Sequence, residues 1–123
     1  MNSVLRVAIV DDSPLVQRSL ARLFAHYPNI DVVGFAEDCA GAQAMIERTC
    51  PDVVVLDVEL KDDCTSMPVL RFLREHRPAI QAIMLSNSTW GSLRKGFLSA
   101  GAEAYFDKAT EFNSAVDWLA ARA

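Results

Sequence analysis

The sequence predicts an α/β domain in which a parallel sheet lies between two layers of helices. Three observations carry that prediction. Five short runs rich in Val, Ile and aromatics recur along the chain at 4–10, 30–36, 52–57, 79–85 and 102–107. Segments of helical period separate them, giving a β-α unit repeated five times. The most apolar run, "VVVL", lacks the alternation of a half-exposed strand, as expected of a central parallel strand covered on both faces. The right-handed crossover rule then turns the alternation into a parallel sheet with helices on both sides.

Each helix has its own signal. Ser13 is placed to cap the first, with Pro14 at the first helical position and Val16, Leu20, Leu23 and Phe24 on one face. "YPN" at 27–29 stops it. A second helix over 39–49 ends before Pro51, and a third over 67–76 carries Val69, Leu70 and Leu73 inward and ends before Pro78. A fourth over 90–99 is closed by Gly101. The last, over 111–121, has Phe112, Val116 and Leu119 as its core stripe. Trp118 stands about 120° from that stripe, a position that suits either an interface or a ring folded over neighbouring aliphatics.

Composition bounds the function. The chain has 123 residues, half of them hydrophobic, which is enough for one core and no more than one domain, taken as 1–123. A formal charge of −4 without a basic stripe argues against a nucleic-acid surface. No apolar run approaches membrane-spanning length, and an acidic pair sits where a signal peptide would continue its apolar stretch. Cys39, Cys50 and Cys64 are odd in number and widely spaced, so neither a zinc site nor a disulfide framework is expected; free thiols fit a reducing cytoplasm.

In doubly wound sheets the functional crevice lies at the carboxyl ends of the strands. Here those ends read Asp11-Asp12, Asp57, Ser86 and Asp107-Lys108. Adjacent carboxylates after a strand repel unless a positive partner is at hand, although the pair alone is as well read as a dipole-favoured helix start. If the first and third strands are neighbours, Asp11, Asp12 and Asp57 converge on a hard-oxygen site suited to Mg²⁺ or Mn²⁺. A carboxylate beside such an ion can attack phosphorus and form an acyl phosphate. Asp57, alone at the end of the most buried strand, is the better nucleophile candidate, with Lys108 and Ser86 holding phosphoryl oxygens.

"VAIVDDSPLVQRSL", "PDVVVLDVEL", "IMLSNS" and "GAEAYFDKA" together resemble the receiver domain of two-component response regulators, the chemotaxis-type stand-alone module included. The resemblance runs over essentially the whole chain. It implies a flavodoxin-like (βα)₅ sandwich with strand order 2-1-3-4-5 and phosphorylation of Asp57 by a sensor histidine kinase or histidine phosphotransfer protein. It further implies Asp11 and Asp12 as metal-binding acids, helped by the backbone carbonyl of Glu59. Ser86 becomes the switch hydroxyl, Tyr105 the switch aromatic and Lys108 the phosphoryl-contacting lysine. The helix-one face around Leu15, Arg18 and Arg22 becomes the kinase dock. The surface of the fourth helix, fifth strand and fifth helix, with Arg94, Tyr105 and, on its interface reading, Trp118, becomes the output face toward an unknown protein target or a second copy in a homodimer.

Several positions depart from the family pattern. "ELKDDCTSMPVL" has Lys61 and Ser66 where Pro and Gly are familiar, which predicts an altered loop that also brings Asp62 and Asp63 toward the acidic site. Asn87 replaces a small residue, and Ala109 follows Lys108 in place of Pro, which removes the cheap route to a cis bond. Glu59 and Ser88 occupy the positions that tune dephosphorylation in the family. The expectation is a cytoplasmic phosphorelay switch that signals by contact, since no output domain follows the last helix. Its only catalysis is its own phosphorylation and dephosphorylation. The alternative is a pseudo-receiver that binds partners without being phosphorylated.

Overall fold

The computed structural model describes residues 4–61, 64–87 and 91–123. Asp62, Asp63, Ser88 and position 90, where the fourth helix is expected to begin, lie outside them. The strands are β1 (Leu5–Val10), β2 (Ile30–Ala36), β3 (Val53–Leu56), β4 (Gln81–Ser86) and β5 (Ala104–Asp107). The helices are α1 (Pro14–Phe24), α2 (Cys39–Thr49), α3 (Met67–His76), α4 (Gly91–Ser99) and α5 (Phe112–Ala120). The five strands pair in parallel in the order β2-β1-β3-β4-β5.

Each face of the sheet has its own apolar layer. Ala8, Val10, Val54, Leu56, Ala82 and Met84 point to one side and meet α2 and α3 through Met45, Ile46, Leu70 and Leu73. Val7, Ile9, Val53, Val55, Ile83 and Leu85 point to the other and meet α1 and α5 through Leu20, Phe24, Val116 and Leu119. All four residues of β3 are buried, as its uninterrupted apolar sequence requires. Trp118 is half-buried against the second layer, and the Arg122 guanidinium carbon sits 3.3 Å from its ring centre. The ring therefore folds over its neighbours and does not stand out as a free anchor.

Local chemistry accounts for the boundaries. The Ser13 side chain accepts a hydrogen bond from the Val16 N–H, with Pro14 opening the helix. Asp38 caps α2 by accepting from the Gly41 N–H at 2.6 Å. A bulge between Val7 and Ala8 pairs Ala8 with Gly34 and leaves Val33 as the extra residue of β2. A side chain at Gly34 would run into Met45 Sδ at 2.7 Å, so this glycine lets α2 lie close on the sheet.

The cysteine expectation is overturned. Cys39, the first residue of α2, and Cys64, in the β3–α3 connection, form a disulfide with their Cα atoms 6.4 Å apart, while Cys50 is free and exposed. Their separation of 25 residues offered no motif. The pairing arises because parallel β2 and β3, flanking β1, deliver their following loops to the same edge of the sheet.

Candidate functional site

The carboxyl edge of β1 and β3 is the topological switch point, since the chain steps outward to β2 on one side and to β4 and β5 on the other. The strand ends are fixed by the ladder itself: the Asp11 N–H donates to the Ala36 carbonyl and the Asp57 N–H to the Val10 carbonyl. Asp11, Asp12 and Asp57 each bring a carboxylate oxygen to a common place, all within 4.8 Å of one another. Asp11 and Asp57 are buried, at 3% and 8% exposure.

The positive group comes from the residue that follows β5. Lys108 Nζ lies 2.6 Å from Asp11 Oδ2 and 3.1 Å from Asp57 Oδ2. The remaining Asp57 oxygen accepts from the Val58 N–H at 2.8 Å, and Asp11 Oδ1 accepts from the Ser13 N–H at 2.9 Å. Burial pushes the Asp57 carboxyl up from 3.8 to about 6, against the attraction of Lys108 and with the help of the Asp11 charge. Burial also works to lower Lys108. The hydrogen bond to Asp11 and the charge of Asp57 outweigh it and hold the ammonium above its ordinary value.

One ammonium facing three carboxylates leaves the pocket short of positive charge. The donors are all hard oxygens and two of them are held out of water, so the residues fit a small divalent cation. Glu59, whose backbone carbonyl the resemblance adds to this set, begins a tight connection: it bridges Thr65 in antiparallel fashion, and the Leu60 N–H donates to the Cys64 carbonyl at 2.8 Å.

Ser86 ends β4, is buried, and accepts the Lys108 N–H on its backbone carbonyl at 2.9 Å. It is thus beside the lysine's own backbone. Tyr105 is not at the pocket. It is buried in the first apolar layer, 6.4 Å from the Phe97 ring, with the Arg94 guanidinium over its face. The described peptide bonds are all trans, including Lys108–Ala109. Ser66 caps α3 without a side-chain bond, and its hydroxyl is buried with no partner among the described residues. Three supports went unnoticed in the sequence. The Gln17 amide donates to the Asp11 carbonyl at 2.7 Å, Lys61 Nζ pairs with Glu37 Oε2 at 2.7 Å, and the Cys39–Cys64 bridge lies beside that pair. The ion pair and the bridge join segments 24 and 25 residues apart, and Gln17 reaches back six residues out of its own helix, so no local pattern flags them.

A parallel 2-1-3-4-5 sheet with three carboxylates and an ammonium at its switch point defines the receiver class of signalling modules. A family model described as the response regulator receiver domain matches residues 7–119, and the chain belongs to that family. Over 105 residues it is 34% identical to the DNA-binding transcriptional activator DevR/DosR of Mycobacterium tuberculosis, covering 85% of this chain and 48% of that protein. Over 117 residues it is 32% identical to protein-glutamate methylesterase/protein-glutamine glutaminase 2 of Vibrio vulnificus, covering 94% of this chain and 33% of that protein. The chain thus spans half or less of these relatives. Among solved structures, the signal receiver domain of the response regulator NarL from Mycobacterium tuberculosis superposes with a TM-score of 0.84 at 26% identity, covering 98% of this chain and 99% of that one. The response regulator domain of Thermotoga maritima CheB does so with a TM-score of 0.83 at 25% identity, covering 97% and 92%.

Proposed function

We propose that this receiver domain accepts a phosphoryl group on Asp57 from the phosphohistidine of a sensor kinase or phosphotransfer protein, and that the acyl phosphate alters the surface it presents to a protein target. The observation that carries the reading is the shared lysine: one Nζ contacts both Asp11 and Asp57, so the carboxylate at the end of β3 sits where an anionic group can be received.

In this reading Asp57 Oδ2 attacks phosphorus, the N–P bond of the donor breaks, and the imidazole leaves with the electron pair. Asp11, Asp12 and the Glu59 carbonyl would hold Mg²⁺ or Mn²⁺. That ion supplies charge neutralisation for the incoming phosphoryl oxygens. Lys108 exchanges its contact with Asp57 for one to a phosphoryl oxygen, and Ser86 supplies a hydroxyl from the adjacent strand end. Because Asp57 titrates near 6, the nucleophilic anion prevails at neutral pH. Leu15 is 67% exposed on α1 beside the pocket and, with exposed Arg18 and Arg22, forms the dock for the phosphoryl donor. The output face runs over α4, β5 and α5 through Arg94 and Tyr105. It serves a protein target, or a second copy of the domain, without direct nucleic-acid contact. No described helix is long and apolar enough to cross a membrane. We place the domain in the cytoplasm, where histidine kinases present their donor groups.

The test is intact-protein mass after incubation with acetyl phosphate and Mg²⁺, beside Asp57→Asn and an EDTA-treated sample. A single phosphoryl adduct that requires both Asp57 and metal supports the reading. Folded protein that gains no adduct from acetyl phosphate or from phosphohistidine donors overturns it in favour of a phosphorylation-independent adaptor.

A further inference from the structure

Cys39 and Cys64 join two loops that both border the acidic pocket. On one side is the β2–α2 connection, Glu37 and Asp38, leading into Cys39 at the start of α2. On the other is the segment after β3 that begins with Glu59. The loops are stitched together around the disulfide by the Lys61 N–H donating to the Glu37 carbonyl at 3.0 Å and by the Lys61–Glu37 ion pair at 2.7 Å. On its other flank the Cys64 carbonyl accepts from the Leu60 N–H, and the neighbouring Thr65 bridges Glu59. The Leu60 N–H belongs to the same peptide group as the Glu59 carbonyl that the metal set would use, so a single hydrogen bond separates that group from Cys64.

The site suits both oxidation states. With Cα atoms 6.4 Å apart, the pair falls in the range a disulfide spans without backbone movement. The Thr65 carbonyl oxygen lies 3.2 Å from Cys39 Sγ and 3.1 Å from Cys64 Sγ, an acceptor ready for the thiol hydrogens once the bridge opens. Both cysteines are half-buried, and Cys64 lines a groove of about 250 Å³ with Glu59, Leu60 and Thr65. Disulfides in reducing compartments are commonly transient and regulatory.

We propose that Cys39 and Cys64 form a reversible redox clasp that sets the affinity of the acidic pocket for its divalent cation. The clasp closes by exchange with a small-molecule or protein disulfide, RSSR. One cysteine sulfur attacks RSSR and releases RSH; the second then displaces the other R-thiol, forming the Cys39–Cys64 bond. Two electrons and two protons pass to RSSR, which departs as two RSH. A dithiol reverses the step. Closing the clasp fixes the loop that carries Glu59, so less ordering remains when the ion binds. The inference rests on the phosphoacceptor reading only for its consequence in signalling.

The experiment compares the whole chain reduced with dithiothreitol and equilibrated with reduced and oxidised glutathione. Free thiols are counted by alkylation and intact mass, Mg²⁺ binding is measured by calorimetry, and the adduct from acetyl phosphate is measured last. The expected result is closure of one bridge in glutathione buffer, with Mg²⁺ bound about three- to tenfold more tightly by the closed form. Cys39→Ser and Cys64→Ser should both hold the reduced-form affinity in every buffer, while Cys50→Ser retains the redox difference. The reduced wild-type chain provides the open state without any substitution. Thiols that remain fully alkylatable in oxidised glutathione, or equal Mg²⁺ affinity in the two forms, overturn the clasp. A redox-dependent affinity without any phosphoryl adduct supports the clasp and removes the phosphoacceptor reading alone.

Discussion

Asp57 should be a liability to the fold when the domain is metal-free, and replacing it with Asn should stabilise the protein. The displacement of its carboxyl from 3.8 to about 6 means that ionising it in the folded chain is harder than in the unfolded chain. At about 1.4 kcal/mol for each tenfold change in proton affinity, that difference corresponds to about 3 kcal/mol. Below the unfolded value both states hold the proton and there is no penalty. Between about 4 and about 6 the folded chain retains a proton that the unfolded chain has released, so stability falls as pH rises through this window. Above it the full penalty is present. Asn has the same shape, can still accept from Lys108 and carries no charge. In EDTA, urea unfolding of Asp57→Asn should therefore exceed wild type by about 3 kcal/mol at neutral pH, with a thermal midpoint about 10 °C higher. The gap should shrink toward zero as the pH approaches 4. Mg²⁺ should raise the wild-type midpoint and leave the variant nearly unmoved, because it stabilises only the state that binds it. An Asn variant no more stable than wild type at neutral pH, or a gap that persists unchanged in acid, would refute the argument that burial dominates this carboxyl.

Three further outcomes follow from single contacts. Lys108→Ala leaves Asp11 and Asp57 facing each other without their shared ammonium, and urea midpoints at neutral pH should show a loss of about 3 kcal/mol that lessens in acid as Asp57 takes up a proton. Gly101→Ala should cost about 2 kcal/mol by the same assay, because its φ of 112° disfavours a side chain and the new Cβ would meet Arg74 Cδ at 2.6 Å. The displaced arginine would also lose its hydrogen bond to the Ile80 carbonyl. Cys50→Gly should gain about 1 kcal/mol, since Cys50 ends α2 in the left-handed region at φ 46°, where a side chain is strained. A midpoint that falls in calorimetry would show that the strain is absorbed elsewhere.

The architecture was legible in the amino-acid order, because its signals are local and agree with one another. Ser13-Pro14 opens a helix wherever it is placed, Pro51 and Pro78 forbid continuation, and the run at Val53–Leu56 needs cover on both faces. Asp11, Asp12, Asp57 and Lys108 could be nominated from the same pattern, since a residue that ends a parallel strand has its place in the crevice before any distance is known. Ser86 came from the same strand-end pattern, and the family resemblance added Glu59 and Tyr105. The surroundings of single side chains outside the apolar runs could not be read this way. Only the assembled sheet shows that Tyr105 lies in the apolar layer under Arg94 and that Trp118 folds beneath Arg122. Only it shows that Lys108 divides its charge between Asp11 and Asp57, and that burial then leaves Asp57 titrating near 6. Cys39 and Cys64 mark the limit most clearly. Spacing along the chain gives no reason to pair them, and the bond exists because β2 and β3 flank β1 and bring their loops to one edge. Local rules set the elements because capping, backbone restriction and periodicity act within a few residues. Proton affinity and cross-loop bonding depend on distances that exist only after the elements have packed.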